Sequence, residues 1–555
     1  MTPRDKQPPQ QATRPHRKDH AAEVANTFEW LITAFILAFL FRAFVMEAFR
    51  IPTGSMADTL MGAHFRLGCP ACGYGYAHGF VPGQYGLPED TVPPGGVLLP
   101  PVRCPSCGYI QQSRPGETVQ SPVFNGDRIL VLKCLYQFSP PKRWDVVVFK
   151  NPTNPTQNYI KRLIGLPNET IEIVDGDIYV DGQIARKPPR VQDELWMPIY
   201  DNDFQPVDPR QPLFNLRPWQ MPLDRTGSAW TTDSDKDPTR LHLDDATGQN
   251  HVLSYRSPSA NLFHAVYAYN GLSARAYASA PACSDLMVRT VVDFNDPASR
   301  VGVSLTRYGT VYEGSLDAQG RMEIAQVTDG QRSVLAGDRL TADPVGTPLL
   351  LRFAHVDRRL VLHVGRRTLT YDFDGSRPSA DTRRGNGPQV QVFGSGRMTL
   401  SHVAIFRDIY YTSDPPRRDI PPHAIEGHPF RLESDEFFVC GDNSPNSEDA
   451  RWWPAPTTAS RGQEPPRAGV VPRDYMMGKA LFVYWPGGFE FPWPRTVRSF
   501  AEATGRPGPL RVLQALIRLR WIPNVGKMRF IYGGSGRSAN PVDPATGQDP
   551  SLHPS

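Results

Sequence analysis

The longest apolar run in the chain lies between Phe28 and Val45, FEWLITAFILAFLFRAFV, broken only by Glu29, Thr33 and Arg42. With its flanking turns it reaches about 20 residues, the length a helix needs to cross a hydrocarbon core. A transmembrane helix over 26–47 is therefore expected. Residues 1–25 carry Arg4, Lys6, Arg14, Arg17 and Lys18 among Pro, Gln and Thr, with no apolar period. They predict a disordered basic arm, which by the positive-inside rule stays in the cytoplasm and sends the rest of the chain outside. A cleaved signal peptide is the competing reading, but MEAFRIP follows the run where a small-x-small cleavage site would stand. A buried core helix is the third.

Beyond the run the period changes from helical to alternating. NGDR turns into ILVLK at 125–133, Trp144 and Asp145 lead into VVVFK, and NYIKRLIGLP leads into TIEIVDGDIYVDGQ, a hairpin about Asp175 and Gly176. β-branched residues between turn signals predict a compact, mostly antiparallel β fold. From 190 to 429 the texture shifts. A stretch rich in Pro, Trp and Asp precedes runs such as LLLRFAHV, RLVLHVG, TLTYDF and VQVFGS, spaced as in a β-sandwich. In texture it resembles the concanavalin-like folds of lectins and laminin G modules, and no motif names a ligand for it. Residues 430–488 return to the first pattern. The remainder, 489–555, is Pro/Gly-rich, with one helical patch at 509–522 whose Leu510, Leu513, Leu516, Ile517 and Trp521 share a side, with Arg511, Arg518 and Arg520 off it. Such a helix suits a membrane surface or the parent domain equally.

Composition narrows the function classes. The 57 prolines are roughly twice average usage and mark long loops and tails. A net charge of +4 without an aromatic-basic stripe argues against nucleic acid. Of seven cysteines, four form two CPxCGY repeats, Cys69/Cys72 and Cys104/Cys107. Two such knuckles aim four thiolates at one point, for which Zn²⁺ is the usual occupant. A zinc ribbon over 67–119 is expected, with two disulfides as the alternative. Four thiolates leave no open coordination position, so the metal would be structural. No cofactor for catalysis is called for.

Phe49 to Met56, FRIPTGSM, begins where the apolar run ends. Ser55 is either a turn residue or a nucleophile held against the bilayer. No GxSxG elbow surrounds it and histidine is scarce in the flanking regions; a lysine can serve as its base if burial lowers the pKa toward neutrality. Lys161, in an apolar strand beside Ile160 and Leu163, is the candidate; the bland reading is a strand lysine facing solvent.

These blocks together, FRIPTGSM, NGDRILVLK, RWDVVVFK, YIKRLIGLPNETIEI with DGDIYVDG, GDNSPNSEDAR and VPRDYMMGKALFVYWP, resemble the type I signal peptidases, membrane-anchored Ser/Lys endopeptidases that remove signal peptides from exported proteins. The resemblance covers 28–60, 124–187 and 432–487. It implies a mainly β fold with a catalytic domain split over 48–66, 120–189 and 430–488. It implies that Ser55 is the nucleophile and Lys161 the base, that Thr53 joins the Ser55 N–H in holding the oxyanion, and that Ser447 orients the lysine. Asp449 and Arg451 would be a structural ion pair, with Asp442 and Asn443 of the same block as support. Ile51, Pro52, Met56 and Ile160 would line the substrate pockets, and Gly54 would let the backbone pass close to substrate. The partners implied are signal peptides of preproteins and membrane lipid, with the export translocon nearby, at an inner membrane of bacterial type. The chain departs from the family at Ala57 and Asp58, at Ser444 and Ala450, and in its two insertions. An inactive scaffold displaying binding modules is the alternative, disfavoured because both Ser55 and Lys161 are present. A self-cleaving repressor is disfavoured by the membrane helix.

Overall fold

The computed structural model describes residues 20–486, apart from 90, 94–95, 112–120, 209–218, 235–236, 257–262, 271–279, 380–386, 414–420 and 457–464, together with 527–533. Residues 1–19 of the expected basic arm and the 509–522 patch lie outside the described residues, while residues 20–25, expected to be disordered, belong to the first helix. The apolar run forms the helix His20–Leu40, continued by one π-helical turn, Phe41–Val45. Its side chains from Val24 to Phe41 are exposed, as a lipid-facing helix requires and a soluble core helix would not tolerate. It passes directly into the strand Met46–Arg50.

That strand is the edge of an eight-stranded sheet. Across it the order runs Met46–Arg50, Arg128–Leu132, Met476–Trp485, Val146–Asn151, Asn154–Gly165, Glu436–Cys440 and Val471–Pro472, with Arg529–Phe530 pairing beside Met476–Trp485. The period of two read in the sequence sets which side chains go inward. Ile129 and Val131 are buried while Arg128 is exposed, and both join Ile51, Met56, Val146, Val148, Ala480 and Val483 in one core. The opposite face carries Val147, Phe149, Leu163, Phe438 and Trp453. A four-stranded sheet packs into that second core through the hairpin Thr170–Val174 and Asp177–Val180. Asp175 and Gly176 turn it with φ of 51° and 84°, the left-handed pair that matches hairpin twist.

The 190–429 stretch forms two further antiparallel sheets, of eight and seven strands. Leu286, Val288, Val292 and Phe294 of one sheet meet Val301, Val303, Leu305, Leu316 and Ile324 of the other in a single core. Thr290, at a core-facing position, is fully buried, and its hydroxyl donates to the Ser401 carbonyl at 3.1 Å. The two sheets share that core, but the stretch is not a free appendage. Val191, Leu195, Ile409, Tyr411 and Ala424, all within the stretch read as insertion, belong to the catalytic core.

Where the DGDIYVDG hairpin meets the sandwich, charges are buried together. Arg307 pairs with Asp285 and with Asp177, at 2.9 Å to the latter, while Lys187 pairs with Asp357 and with Asp408, at 2.8 Å. Every one of these side chains is at most 6% exposed. A buried pair stripped of one partner leaves an uncompensated charge, at a cost of about 3–5 kcal/mol. Arg307→Ala should therefore destabilise the chain by about that amount; urea unfolding of the detergent-solubilised protein measures it, and a loss below about 1 kcal/mol would mean that the network contributes little.

Candidate active site

The loop 51–61 that carries Ser55 is closed by one residue of the NGDR turn. The Asp127 carbonyl accepts from the Ile51 N–H at 2.8 Å and its own N–H donates to the Met61 carbonyl at 2.8 Å. Its carboxylate accepts from the Met61 N–H at 3.0 Å. The turn must approach so closely that a Cβ on Gly126 would stand 1.9 Å from the Ile51 carbonyl oxygen. Neither requirement was visible from the sequence, where NGDR reads only as a turn. Within the loop Met56, Ala57 and Leu60 have no exposed surface, and they anchor a tight turn on which Ser55 sits half-buried.

Lys161 lies on the strand Asn154–Gly165, paired with Val147 across the ladder. Its side chain faces inward and is 3% exposed. Lys161 Nζ and Ser55 Oγ are 2.6 Å apart, a hydrogen bond between residues 106 positions apart in the chain. Burial is the main cause that lowers the Lys161 pKa to about 8, with Asp449 opposing and Arg451 reinforcing the shift. In its neutral form the amine accepts the Ser55 O–H.

The GDN block supplies the surroundings. Asp449 and Arg451 form a bidentate pair, Nε to Oδ1 at 2.8 Å and Nη2 to Oδ2 at 2.7 Å, with neither side chain exposed. The remaining donors of Arg451 reach the Thr412 carbonyl, Ser444 Oγ and the Ser444 carbonyl. Ser444 also accepts from the Thr412 N–H at 2.8 Å, so one of the departures from the family carries a hydrogen-bonding role. Asp442 holds Arg162, the neighbour of Lys161, in a second buried bidentate pair at 2.8 and 2.7 Å. Asn443 donates its backbone N–H to the Ser55 carbonyl at 3.0 Å and its side-chain Nδ2 to the Gly54 carbonyl at 2.9 Å.

The other expected residues fall as follows. Thr53 is exposed next to Ser55, and among the described residues neither its hydroxyl nor the Ser55 N–H has a hydrogen-bond partner. Ser447 is buried, but its Oγ makes no hydrogen bond, to Lys161 or to anything else described. Ile51 and Met56 are packed into the core beneath the loop. Of the four expected pocket residues, only Pro52 and Ile160 keep accessible surface. Gly54 faces Tyr269 of the sandwich insertion, 2.1 Å from where a Cβ would stand, so its smallness makes room for a protein ring.

The four ribbon cysteines converge. Each CPxCG knuckle closes with a Gly at φ +79° whose N–H returns to the first cysteine's carbonyl, Gly73 to Cys69 at 2.8 Å and Gly108 to Cys104 at 3.0 Å. The four Sγ atoms lie within 4.8 Å of one another, and the cross pairs Cys69 with Cys107 and Cys72 with Cys104 stand at 3.6 and 3.8 Å. Thiolates at a Zn–S distance of about 2.3 Å form a tetrahedron with edges of about 3.8 Å, so the donor set fits a zinc ion. All four are free of disulfides.

A serine and a buried lysine of lowered pKa are in contact, on a β scaffold that begins where an apolar helix ends. The family described as "Signal peptidase, peptidase S26" matches residues 109–215 and 411–485, which include Lys161 and the GDN block. Signal peptidase I of Leptolyngbya laminosa is 32% identical over 154 residues, covering 21% of this chain and 73% of that protein. Signal peptidase I of Rickettsia canadensis is 31% identical over 162 residues, covering 28% of this chain and 44% of its own length. Among solved structures, a Bacillus subtilis carbohydrate binding module, CBM66, aligns over 33% of this chain at 11% identity with a TM-score of 0.22, a likeness too slight to bear on function. The chain belongs to the signal peptidase family, peptidase S26, the membrane serine peptidases that remove signal peptides. Its one N-terminal apolar helix fits a single-pass membrane protein.

A base at about 8 fixes the sign of the pH dependence. Below that value the amine is protonated and cannot take the serine proton, so kcat/KM should fall about tenfold per pH unit on the acid side, with its midpoint near pH 8. A pH–rate profile checks this, and a rate unchanged from pH 9 down to pH 6 would rule out Lys161 as the base.

Proposed function

We propose that Ser55 and Lys161 carry signal-peptide cleavage in this chain, and the observation behind this reading is the 2.6 Å contact between a half-buried serine and a buried lysine. Ser55 Oγ attacks the scissile carbonyl carbon as its proton passes to Lys161 Nζ. The tetrahedral oxyanion is held by the Ser55 N–H and the Thr53 hydroxyl, both without a partner among the described residues. As the C–N bond breaks, Lys161 returns the proton to the leaving amine, which departs as the mature protein's N-terminus. Lys161, neutral again, takes a proton from the water that attacks the acyl ester and returns it to Ser55 Oγ as the ester bond breaks, which frees Ser55 and the cleaved signal peptide. Asp449, Arg451, Asp442 and Asn443 act by holding the loop in place. Ser447 lies beside the dyad, buried and unpartnered, and turns to the lysine when substrate is bound. The signal peptide adds as a strand along the edge near Pro52 and Ile160.

In this reading the basic arm stays in the cytoplasm of a bacterial-type cell, and the dyad works on the outer face of the inner membrane, close to lipid and to the translocon that delivers its substrates. Cys69, Cys72, Cys104 and Cys107 hold one structural zinc.

Two measurements decide these points. Incubated with a secretory precursor, the purified full chain should release the mature protein, and Ser55→Ala and Lys161→Ala should each reduce the rate by at least about 10²–10⁴-fold; unchanged processing by either variant removes the mechanism. Metal analysis should find about one zinc per chain, lost in Cys104→Ser; disulfides between Cys69 and Cys72 or between Cys104 and Cys107 in the native protein would contradict the site.

A further inference from the structure

One short segment of the sandwich insertion, 263–270, leaves its own fold and enters the catalytic loop. Its root is fixed by Arg407, whose Nη2 donates to the Val266 carbonyl at 2.6 Å and whose guanidinium lies 4.8 Å over the Tyr267 ring. Tyr267 Oη donates to the Asp442 carbonyl at 3.0 Å. The Tyr269 ring lies against Gly54 on the nucleophile loop and Gly79 on the ribbon, and a Cβ on either would stand 2.1 or 2.4 Å from its Cε1. Tyr269 Oη donates to the Ala63 carbonyl at 2.9 Å, and the Gly79 N–H donates to the Tyr269 carbonyl at 2.8 Å.

The closest link to the chemistry runs through Asn270. Its amide pairs head to head with that of Asn443: Asn270 Nδ2 donates to Asn443 Oδ1 at 2.6 Å, and Asn443 Nδ2 donates to Asn270 Oδ1 at 2.7 Å. The second hydrogen on Asn443 Nδ2 goes to the Gly54 carbonyl. That carbonyl and the Ser55 N–H belong to one planar trans peptide and point in opposite directions. Holding the carbonyl therefore aims the N–H. The next peptide is held as well, because the Ser55 carbonyl accepts from the Asn443 N–H. Asn443 thus holds both planes flanking the Ser55 Cα, the first together with the Ala57 N–H, which donates to the Gly54 carbonyl at 3.1 Å, and the side chain of Asn443 is held by Asn270.

We infer that the 263–270 segment of the insertion positions the nucleophile, with Asn270 and Tyr269 as positioning residues that orient the Ser55 N–H and hold the loop against the ribbon. The inference rests on the Ser/Lys reading for its kinetic consequence, while its structural content stands apart from it. Loss of Asn270 frees the Asn443 amide to rotate, which misdirects the oxyanion donor without touching the surface along which a precursor docks. The effect therefore belongs in kcat and not in KM. Tyr269→Phe keeps the ring that fills the space between Gly54 and Gly79, and loses only the donor to Ala63.

The test uses the full chain in detergent, as wild type, Asn270→Ala, Tyr269→Ala and Tyr269→Phe, with two readouts: kcat and KM on a secretory precursor, and amide hydrogen exchange. Asn270→Ala and Tyr269→Ala should each lower kcat about tenfold or more with KM within twofold, and Tyr269→Phe should restore most of the loss. Exchange over 52–60 should quicken in Asn270→Ala while exchange in the sandwich strand Arg300–Arg307 stays as in wild type. A kcat for Asn270→Ala within twofold of wild type, a loss confined to KM, or exchange that is unchanged at 52–60 or raised equally in both regions would each overturn the inference. If wild type processes no precursor, the peptidase reading fails by itself, and the exchange measurement alone decides whether the segment braces the loop.

Discussion

A lysine acts as a base near neutral pH only where the ammonium form is poorly solvated, and the structure is arranged around that requirement. Lys161 sits on an inward-facing strand position, and the GDN block covers it. A covering loop with a free carboxylate would defeat the purpose, since a nearby negative charge restores the ammonium. Asp449 is such a carboxylate, and Arg451 engages both of its oxygens. Asp442 is likewise occupied by Arg162. The block therefore surrounds the amine with polar residues whose charges are already matched, and burial lowers the Lys161 pKa to about 8.

The second requirement is that a serine on a loop be held as firmly as one on a strand. The chain meets it with contacts from four directions: Asp127 closes the ends of the loop, Met56 and Leu60 fasten it to the core, Asn443 holds the peptides on either side of Ser55, and Tyr269 presses on Gly54. Only the first three come from segments that resemble the family. The insertion therefore touches the site it flanks through Tyr269, whereas Val191 and Tyr411 lie in the catalytic core as members of the segments the family model matches.

Much of this was legible in the sequence, and the line between legible and illegible is physical. The apolar run, the alternating strands, the Asp175/Gly176 hairpin and the two cysteine knuckles are local patterns, and each is where the chain placed it. The contact of Ser55 with Lys161 spans 106 residues, and it could be expected only because several blocks in order resembled a known family. What stayed hidden depends on close approach between distant backbones. Gly126, Asp127 and Asn270 have no periodicity to announce them, and Gly54 looked like a concession to substrate when its neighbour is a tyrosine over two hundred positions away. Sequence position also says little about packing direction: Ile51 and Met56 stand close to Ser55 in the chain, and the turn directs both into the core.

The order of strands in the catalytic sheet also bears on when activity can arise. Arg128–Leu132 and Val146–Asn151 follow one another in the chain, but they are not neighbours in the sheet; Met476–Trp485 lies between them. The sheet cannot close until that late strand arrives, and the loops bridged by then are among the longest in the chain, which makes assembly slow. Until Met476–Trp485 is in place, no strand joins the Met46–Arg50 and Arg128–Leu132 pair, which leads into the loop of Ser55, to the Val146–Asn151 and Asn154–Gly165 pair, which carries Lys161.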